Sequence, residues 1–412
     1  MHRFGMIFFA TFALLLCIMC DALKVQQLSD EFLNKSILEL EMRELLGIGQ
    51  SAKRLKRQMP LKNSAAKFLL EVYNIVEEHE TENVQQNSLW LSNKRSKRSI
   101  RGSKFLTELD VMEIAKCNTI ITYPSKPFST TTNGDFNIVF ATNRVSNDLQ
   151  LVHSVLRIYQ QPKDDNKIMQ NPSKQPATVF VYQETFDQTF KILSSINTTI
   201  GYKGWLEFDI TETLHKWLKQ KSEHYLDLKI AVNIRRENNT KKDGLQISAQ
   251  DLGLIMPYSD EEETFDFQPF IIAYFNGPEL LQKIQKLRTK RNIPVKRNIP
   301  VALPSNWKSA MCKRHDFVID FEDLNMGEWI IAPKRYEAYF CAGECSFPLN
   351  MQTDATNHAI VQNLMNIKRP SLPKPCCTPV LLSSIKILHY DINENAVLTK
   401  FANSIVKGCG CN

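Results

Sequence analysis

The chain has 412 residues, 43% of them hydrophobic and 23% charged, with a formal net charge of +7 from 51 Lys and Arg against 44 Asp and Glu. That balance excludes a disordered or fibrous protein, and the length exceeds one ordinary domain, so two or more folded units are expected. The charge is spread out and no run reaches the ~18 apolar residues of a membrane span, so neither nucleic-acid binding nor membrane insertion is expected.

Arg3 precedes an apolar run from Met6 to Cys20, placed like a secretory signal peptide over residues 1–22. An uncleaved anchor is the alternative, opposed by the short run and the absence of basic residues after it. The expected location is extracellular. From Ser29 to Leu46 the apolar residues Phe32/Leu33, Ile37/Leu38, Met42 and Leu45/Leu46 share one helical face, and Gly47 ends it. A second helix is predicted from Ser64, with Phe68/Leu69, Val72/Tyr73 and Val76 on its face. These helices and basic loops make up residues 23–102. The loops carry Arg54-Leu-Lys-Arg57 and Arg95-Ser-Lys-Arg98.

Residues 103–276 change to short β-type runs: Phe136 to Ala141, Thr178 to Tyr182, Trp205 to Ile210, Leu228 to Val232 and Pro269 to Phe275. They predict a β-sandwich interrupted by one helix, Thr211 to Leu218, with Thr211 as its cap. The consecutive acids Asp260 to Glu263 suit a solvated loop better than a metal site. Asn34, Asn197 and Asn238 are Asn-x-Ser/Thr acceptors for glycosylation.

Residues 277–311 read as a linker, with Pro278, Pro294, Pro300 and Pro304 and a tandem copy of Lys-Arg-Asn-Ile-Pro-Val at 290–295 and 296–301. It contains a third Arg-x-Lys-Arg, Arg288-Thr-Lys-Arg291. Spaced arginines with a dibasic end resemble the sites of secretory proprotein convertases, whose acidic clefts hold guanidinium groups by paired hydrogen bonds. Arg288, Lys290 and Arg291 form the expected principal site. Arg54, Arg57, Arg95 and Arg98 mark two further ones. From Asn292 to Arg314 the chain holds Lys296, Arg297, Lys308, Lys313 and Arg314 and no acid. That composition suits either an arm attracted to heparan sulfate or a simply solvated tail.

Of 10 cysteines, Cys17 and Cys20 leave with the signal, Cys117 stands alone, and seven lie from Cys312 to Cys411. An odd number in an oxidising compartment points to one bond between chains. Adjacent Cys376 and Cys377 in a strand point to opposite sides, so one can face a partner. Spacing leaves the pairing open. A zinc or redox site is opposed by the lack of a Cys-x-x-Cys pair. A hydrolase is opposed by the lack of His-Glu-x-x-His or Gly-x-Ser-x-Gly, and His315, His358 and His389 have no nucleophile at motif spacing. No enzyme, metal or cofactor is expected.

The cysteine spacing, with Trp329-Ile-Ile-Ala-Pro333, Cys341-x-Gly-x-Cys345-x-Phe-Pro-Leu349, Thr356-Asn-His-Ala-Ile-Val-Gln362, Pro373-Lys-Pro-Cys-Cys377 and the Cys-Gly-Cys ending, resembles the bone morphogenetic protein branch of the transforming growth factor beta superfamily, its insect ligands in particular. The likeness covers residues 312–412 and extends more weakly into the N-terminal helices and the run Gly204 to Ile210. It implies a small all-β cystine-knot growth factor of two β-fingers plus one helix, preceded by an α+β pro-domain. The implied bridges are Cys341–Cys409 and Cys345–Cys411 closing a ring, Cys312–Cys377 threading it, and Cys376 joining two chains. Gly343 would relieve crowding in that ring. Fingers are predicted over Asp316 to Cys341 and over Pro379 to Cys409, the latter turning at Asn393 to Asn395. A helix over Thr356 to Lys368 presents Ile360, Leu364 and Ile367 on one face.

The resemblance further implies a precursor of a secreted dimer, homodimer or heterodimer with a related ligand, that engages receptor serine/threonine kinases. Type I receptors would grip the surface around Trp329, Leu349 and the helix start. Type II receptors would pack near Ala332, Pro333, Ser384, Lys386, Leu388 and Leu398. The plainer reading of such apolar residues is strand filler or dimer core. Other implied partners are a convertase, the chain's own pro-domain and extracellular antagonists. Met326 stands where the branch has a second tryptophan, Lys386 where it has a small or apolar residue, and Asp354-Ala-Thr356 replaces a glycosylation acceptor. Those departures keep open a second role, as a heterodimer partner or receptor-blocking modulator of related ligands.

Overall fold

The computed structural model describes residues 39, 40, 42, 43 and 46, then 63–82, 105–126, 136–141, 149–162, 176–184, 189–219, 225–234, 245–255, 266–277, 311–349, 353–391, 393 and 395–412. Asn34, Asn238, the acids at 260–263 and all three Arg-x-Lys-Arg stretches lie outside them. Of the first predicted helix, Glu39, Leu40, Met42, Arg43 and Leu46 are described; the first four are helical and Leu46 lies in a turn. No helix among the described residues is long and apolar enough to cross a membrane.

Helix α1 (Ser64–Glu82) starts where the Asn63 side chain accepts the Ala66 N–H at 2.8 Å. Ala65, Phe68, Leu69, Val72 and Val76 recur every three or four residues and are buried. Helix α2 (Glu108–Lys116) is not anticipated by the hydrophobic pattern. A capping box starts it, in which Thr107 and Asp110 satisfy each other's backbone N–H.

The strands β1 (Thr119–Lys126), β2 (Phe136–Ala141), β3 (Gln150–Gln160), β4 (Pro176–Glu184), β5 (Phe190–Thr199) and β6 (Gly204–Asp209) follow. After helix α3 (Thr211–Lys219) come β7 (Tyr225–Ile234), β8 (Leu245–Ile247) and β9 (Phe270–Asn276). One antiparallel set runs β1, β9, β3, β6. A second runs β2, β7, β4, β5, with β8 beside β7. The last residues of β1, Ser125 and Lys126, cross over to pair with β2. Between the two sets lies one core, to which Tyr123, Ile158, Phe208 and Ile271 contribute from the first and Phe140, Val179, Val181 and Leu228 from the second.

Leu214 and Trp217 of α3 join that core. Thr211 does not cap this helix. It is the first helical residue, and its N–H and O–H both donate to Asp209 Oδ1, at 2.9 and 2.7 Å. Burial would raise the Asp209 pKa, but these bonds from Thr211 outweigh it and hold the carboxyl below its ordinary value. The Ile210 carbonyl accepts the Leu214 N–H and so opens the helix, while the Asp209 carboxylate takes the Thr211 N–H that the first turn leaves unpaired.

The C-terminal part contains β10 (Lys313–His315), β11 (Val318–Asp320), β12 (Ile330–Ala332), β13 (Arg335–Glu337) and β14 (Phe340–Ala342). Helix α4 (Asn357–Lys368) and the long strands β15 (Cys377–Tyr390) and β16 (Ala396–Cys411) complete it. Thr356 caps α4 by accepting the Ala359 N–H. β15 and β16 pair from Cys377↔Cys411 to Tyr390↔Ala396. Asp391 organises their turn: its carboxylate accepts the N–H groups of Asn393 and Asn395 and the Asn395 amide. At its tip β16 also pairs with β1, from Thr119↔Thr399 to Thr122↔Ala396, so one sheet runs from the second finger into the N-terminal unit.

Candidate functional site

The cysteine cluster forms Cys312–Cys377, Cys341–Cys409 and Cys345–Cys411, with Cα separations of 5.4, 5.7 and 5.8 Å. The last two close a small ring, and the Cys312 sulfur lies within 4.8 Å of those of Cys345 and Cys411. All three sulfurs are committed to disulfides, and only a thiolate binds metal. Gly343 in the ring has φ +123°, a conformation that other residues rarely adopt. At Gly410 a Cβ would sit 2.5 Å from the Asp354 carbonyl oxygen, so the second ring segment is also confined to glycine. Cys376 is a free, exposed thiol whose backbone is pinned by paired hydrogen bonds with Asn412. Cys117, half-buried at the end of α2, is free too; burial, reinforced by Glu113, pushes its pKa up to about 12.

Successive strand residues point to opposite faces, and the fingers carry an apolar cluster on each. On one, Phe321, Met326, Trp329, Ile330, Ile385, Ile387 and Phe401 pack together. Leu46 joins this cluster with Met42 beside it, and the Arg43 guanidinium stands over the Trp329 ring at 5.1 Å. Trp329 is left 2% exposed, and Met326 is fully buried.

On the other face, Leu388, Tyr390, Ala396 and Leu398 pack against Ala65, Phe68, Leu69 and Val72 of α1, with Ile120 of β1 and Ile272 and Tyr274 of β9. The buried Thr122 hydroxyl lies 3.4 Å from the Ala65 carbonyl and 3.3 Å from that of Ala396, linking α1, β1 and the second finger. Behind α1 a buried polar centre fixes α2 to the sheet. Arg157 of β3 donates to Asp110 at 2.5 Å, to Glu207 at 2.6 Å and to the Phe105 carbonyl, and stacks on Phe68 at 5.1 Å. Burial would lower the guanidinium pKa, but Asp110 and Glu207 outweigh it and hold it above its ordinary value. Tyr274 donates to Asp110 at 2.7 Å, and burial with this carboxylate pushes the phenol well above its usual pKa.

Of the residues expected at receptors, Trp329, Leu388 and Leu398 are therefore covered by N-terminal segments. Ala332 is half-buried beside the α1 cluster, and Pro333, Ser384 and Lys386 are half-buried. Leu349 packs half-buried on the disulfide cluster instead, apart from Trp329. Helix α4 leaves Ile360, Val361, Leu364 and Ile367 exposed, Ile367 by 58%. Asn197 is exposed on β5, where Thr178 donates to it at 2.8 Å. Periodicity gave no notice of β1 against β16 or of the Asp110–Arg157 pair. The one local signal was Thr107 three residues before Asp110, the spacing of a capping box.

A profile described as the TGF-beta propeptide matches residues 25–274, and one described as the transforming growth factor beta like domain matches residues 311–411. Over 388 residues the chain is 41% identical to Protein screw of Drosophila melanogaster, covering 91% of this chain and 90% of that one. It is 35% identical over 408 residues to Protein 60A of the same species, covering 92% and 87%. To bone morphogenetic protein 8A of Homo sapiens it is 35% identical over 225 residues, covering 52% and 53%. With a pro-region joined to a disulfide-clustered pair of β-fingers, and with relatives that match along most of its length, this chain belongs to the transforming growth factor beta superfamily, among its bone morphogenetic protein-type signalling ligands, which are not enzymes.

Proposed function

We propose that this chain is the secreted precursor of a dimeric cystine-knot growth factor, cut after Arg291, whose dimer gathers type I and type II receptor serine/threonine kinases and starts SMAD-type signalling. The observation that carries this reading is the burial of both finger faces beneath N-terminal segments, Trp329 under Arg43 and Leu46, Leu388 and Leu398 under α1. In this reading both faces, apolar and large enough to bind a partner once bare, are held back until the cover leaves. The exposed apolar side of α4 and the free Cys376 support pairing with a second copy or a related ligand, and two-fold symmetry then supplies two copies of each receptor site. Cleavage after Arg57 separates the Arg43 segment from α1, and cleavage after Arg98 separates both from the strands. Arg54 to Arg57 and Arg95 to Arg98 therefore divide the chain at points that free one face or two. Asn34, Asn197 and Asn238 are the glycan acceptors in this reading.

The test is electrophoresis of protein recovered from culture medium, with and without reductant, followed by assay of receptor phosphorylation. The expected result is a processed C-terminal fragment that runs as a dimer until reduced and drives phosphorylation. A secreted, processed dimer that binds receptors without phosphorylation would replace the signalling role by the receptor-blocking one.

A further inference from the structure

The second strand set turns one face to the core and the other outward. On β4, Ala177, Val179 and Val181 point into the core, so Thr178, Phe180 and Tyr182 stand on the outer face. β5 ends the set, and its Phe190 and Ile192 are 50% and 54% exposed. Across the ladder Ile192 meets Tyr182 and Asn197 meets Thr178, which places Asn197 in the same outer row. The rings of Phe180 and Tyr182 lie 6.0 Å apart, and the Lys229 ammonium of β7 stands 4.5 Å from the centre of the Phe190 ring. An aromatic and apolar strip therefore runs along the last two strands, with Asn197 near one end. Thr178 donates to the Asn197 side-chain oxygen at 2.8 Å. The amide nitrogen, the atom that takes a sugar, is left free, and Thr199 supplies the hydroxyl of the Asn-x-Thr acceptor.

We propose that a glycan on Asn197 lies along this strip, its first sugar rings resting on Phe180 and Tyr182, and so closes both the apolar face and the outer edge of β5. The inference rests on the reading of Asn197 as a glycan acceptor and adds what the glycan does. Phe180 is the diagonal neighbour of Asn197 across the ladder, roughly 7–8 Å away, within reach of a sugar joined to the Asn197 amide. The C–H groups on one side of a sugar ring pack on the electron-rich face of an aromatic ring, while its hydroxyls stay in water. Such a contact is weak between free molecules, but the covalent tether raises its effective concentration. The strip also needs a cover. An edge strand offers a row of backbone N–H and C=O groups to any other strand, and exposed apolar residues favour that pairing. β5 carries Lys191 at one end, but Ser194 to Thr199 holds no charge to repel a second strand, and Asn197 stands within that stretch. A sugar fixed there excludes the rival occupant, a second copy of the same edge.

Full chain carrying high-mannose glycans, recovered from culture medium, tests it. Complete removal of the glycans from the folded protein by peptide-N-glycosidase should raise the fluorescence of an apolar dye at least about twofold and promote association between chains. Trimming to the first sugar by an endoglycosidase should leave both close to the untreated level. Asn197→Gln should behave as the stripped protein, and Asn34→Gln/Asn238→Gln, which removes the other two acceptors, as the untreated one. In the Asn197→Gln chain, Phe190→Ser with Ile192→Ser should suppress the gain. Where Asn197→Gln fails to fold, the enzymatic removal reads the same face on protein already folded. Equal electrophoretic mobility of wild type and Asn197→Gln would mean that Asn197 carries no sugar, and would overturn the glycan reading and this inference together. A modified Asn197 whose loss leaves dye binding and association unchanged overturns this inference alone. So does a glycosylated chain that already associates through Phe190 and Ile192, which would make a second copy the occupant.

Discussion

At the scale of single residues, the buried ion pair of Asp110 and Arg157 is the most demanding contact. Removing one partner leaves a charge without compensation in a dry site, so Asp110→Ala should destabilise the precursor by about 3–5 kcal/mol in urea titration. Asp391 behaves differently. Its bonds from Asn393 and Asn395 favour the carboxylate, but burial outweighs them and raises its pKa. The folded chain then holds this proton at pH values where the unfolded chain has released it. Stability therefore falls as pH rises from about 3.9 through the raised folded value. Asp391→Asn should abolish that part of the decline, which the difference between the two pH–stability curves reports. The two free cysteines should also separate. The exposed Cys376 is expected to link chains, so Cys376→Ser yields monomers on non-reducing electrophoresis. The Cys117 thiol, protonated at neutral pH, should leave mobility unchanged as Cys117→Ser.

At the scale of elements, the two covers act on opposite faces and should come off independently. Phe68 lies fully buried between α1, β9 and the fingers, so Phe68→Ala should cost about 3–5 kcal/mol and expose Leu388 and Leu398. Arg43→Ala with Leu46→Ala should instead raise quenching of Trp329 fluorescence by acrylamide while leaving the α1 face closed. Assay of the same change in a Trp329→Phe background identifies the tryptophan responsible. The α1 cover was legible from sequence, because the spacing of Phe68, Leu69, Val72 and Val76 records one buried stripe. α2 was not, because Leu109 and Met112 on its surface remain exposed and blur the period. The turn of the second finger was placed near Asn393 by its residue types, whereas the acceptor that builds it is Asp391.

At the scale of the molecule, β1 is the joint. It lies between β9 and β16, so the second finger continues the sheet of the N-terminal unit through a hydrogen-bonded ladder. Strand pairing of this kind gives up its bonds together, so release should be cooperative rather than gradual. Replacing Arg95, Lys97 and Arg98 by alanine should then slow the appearance of receptor-competent dimer without altering the cut after Arg291, as a time course of the two fragments would measure.

The amino-acid sequence by itself determined the order of pro-region and growth factor domain, the odd cysteine and, through the family's motifs, the class of ligand. Each of these is written in covalent spacing or in local periodicity, which needs no partner to be read. Which pro-segment lies on which finger face was decided only by the tertiary structure, as was the seating of Trp329 under Arg43 and of Leu388 under Phe68. Leu46 and Trp329 stand far apart in the chain, and a buried apolar residue looks the same in sequence whatever covers it, because the hydrophobic effect is not directional. The aromatic strip beside Asn197 has the same origin: Phe180 and Tyr182 join Asn197 and Ile192 in one outer row only when β4 and β5 pair.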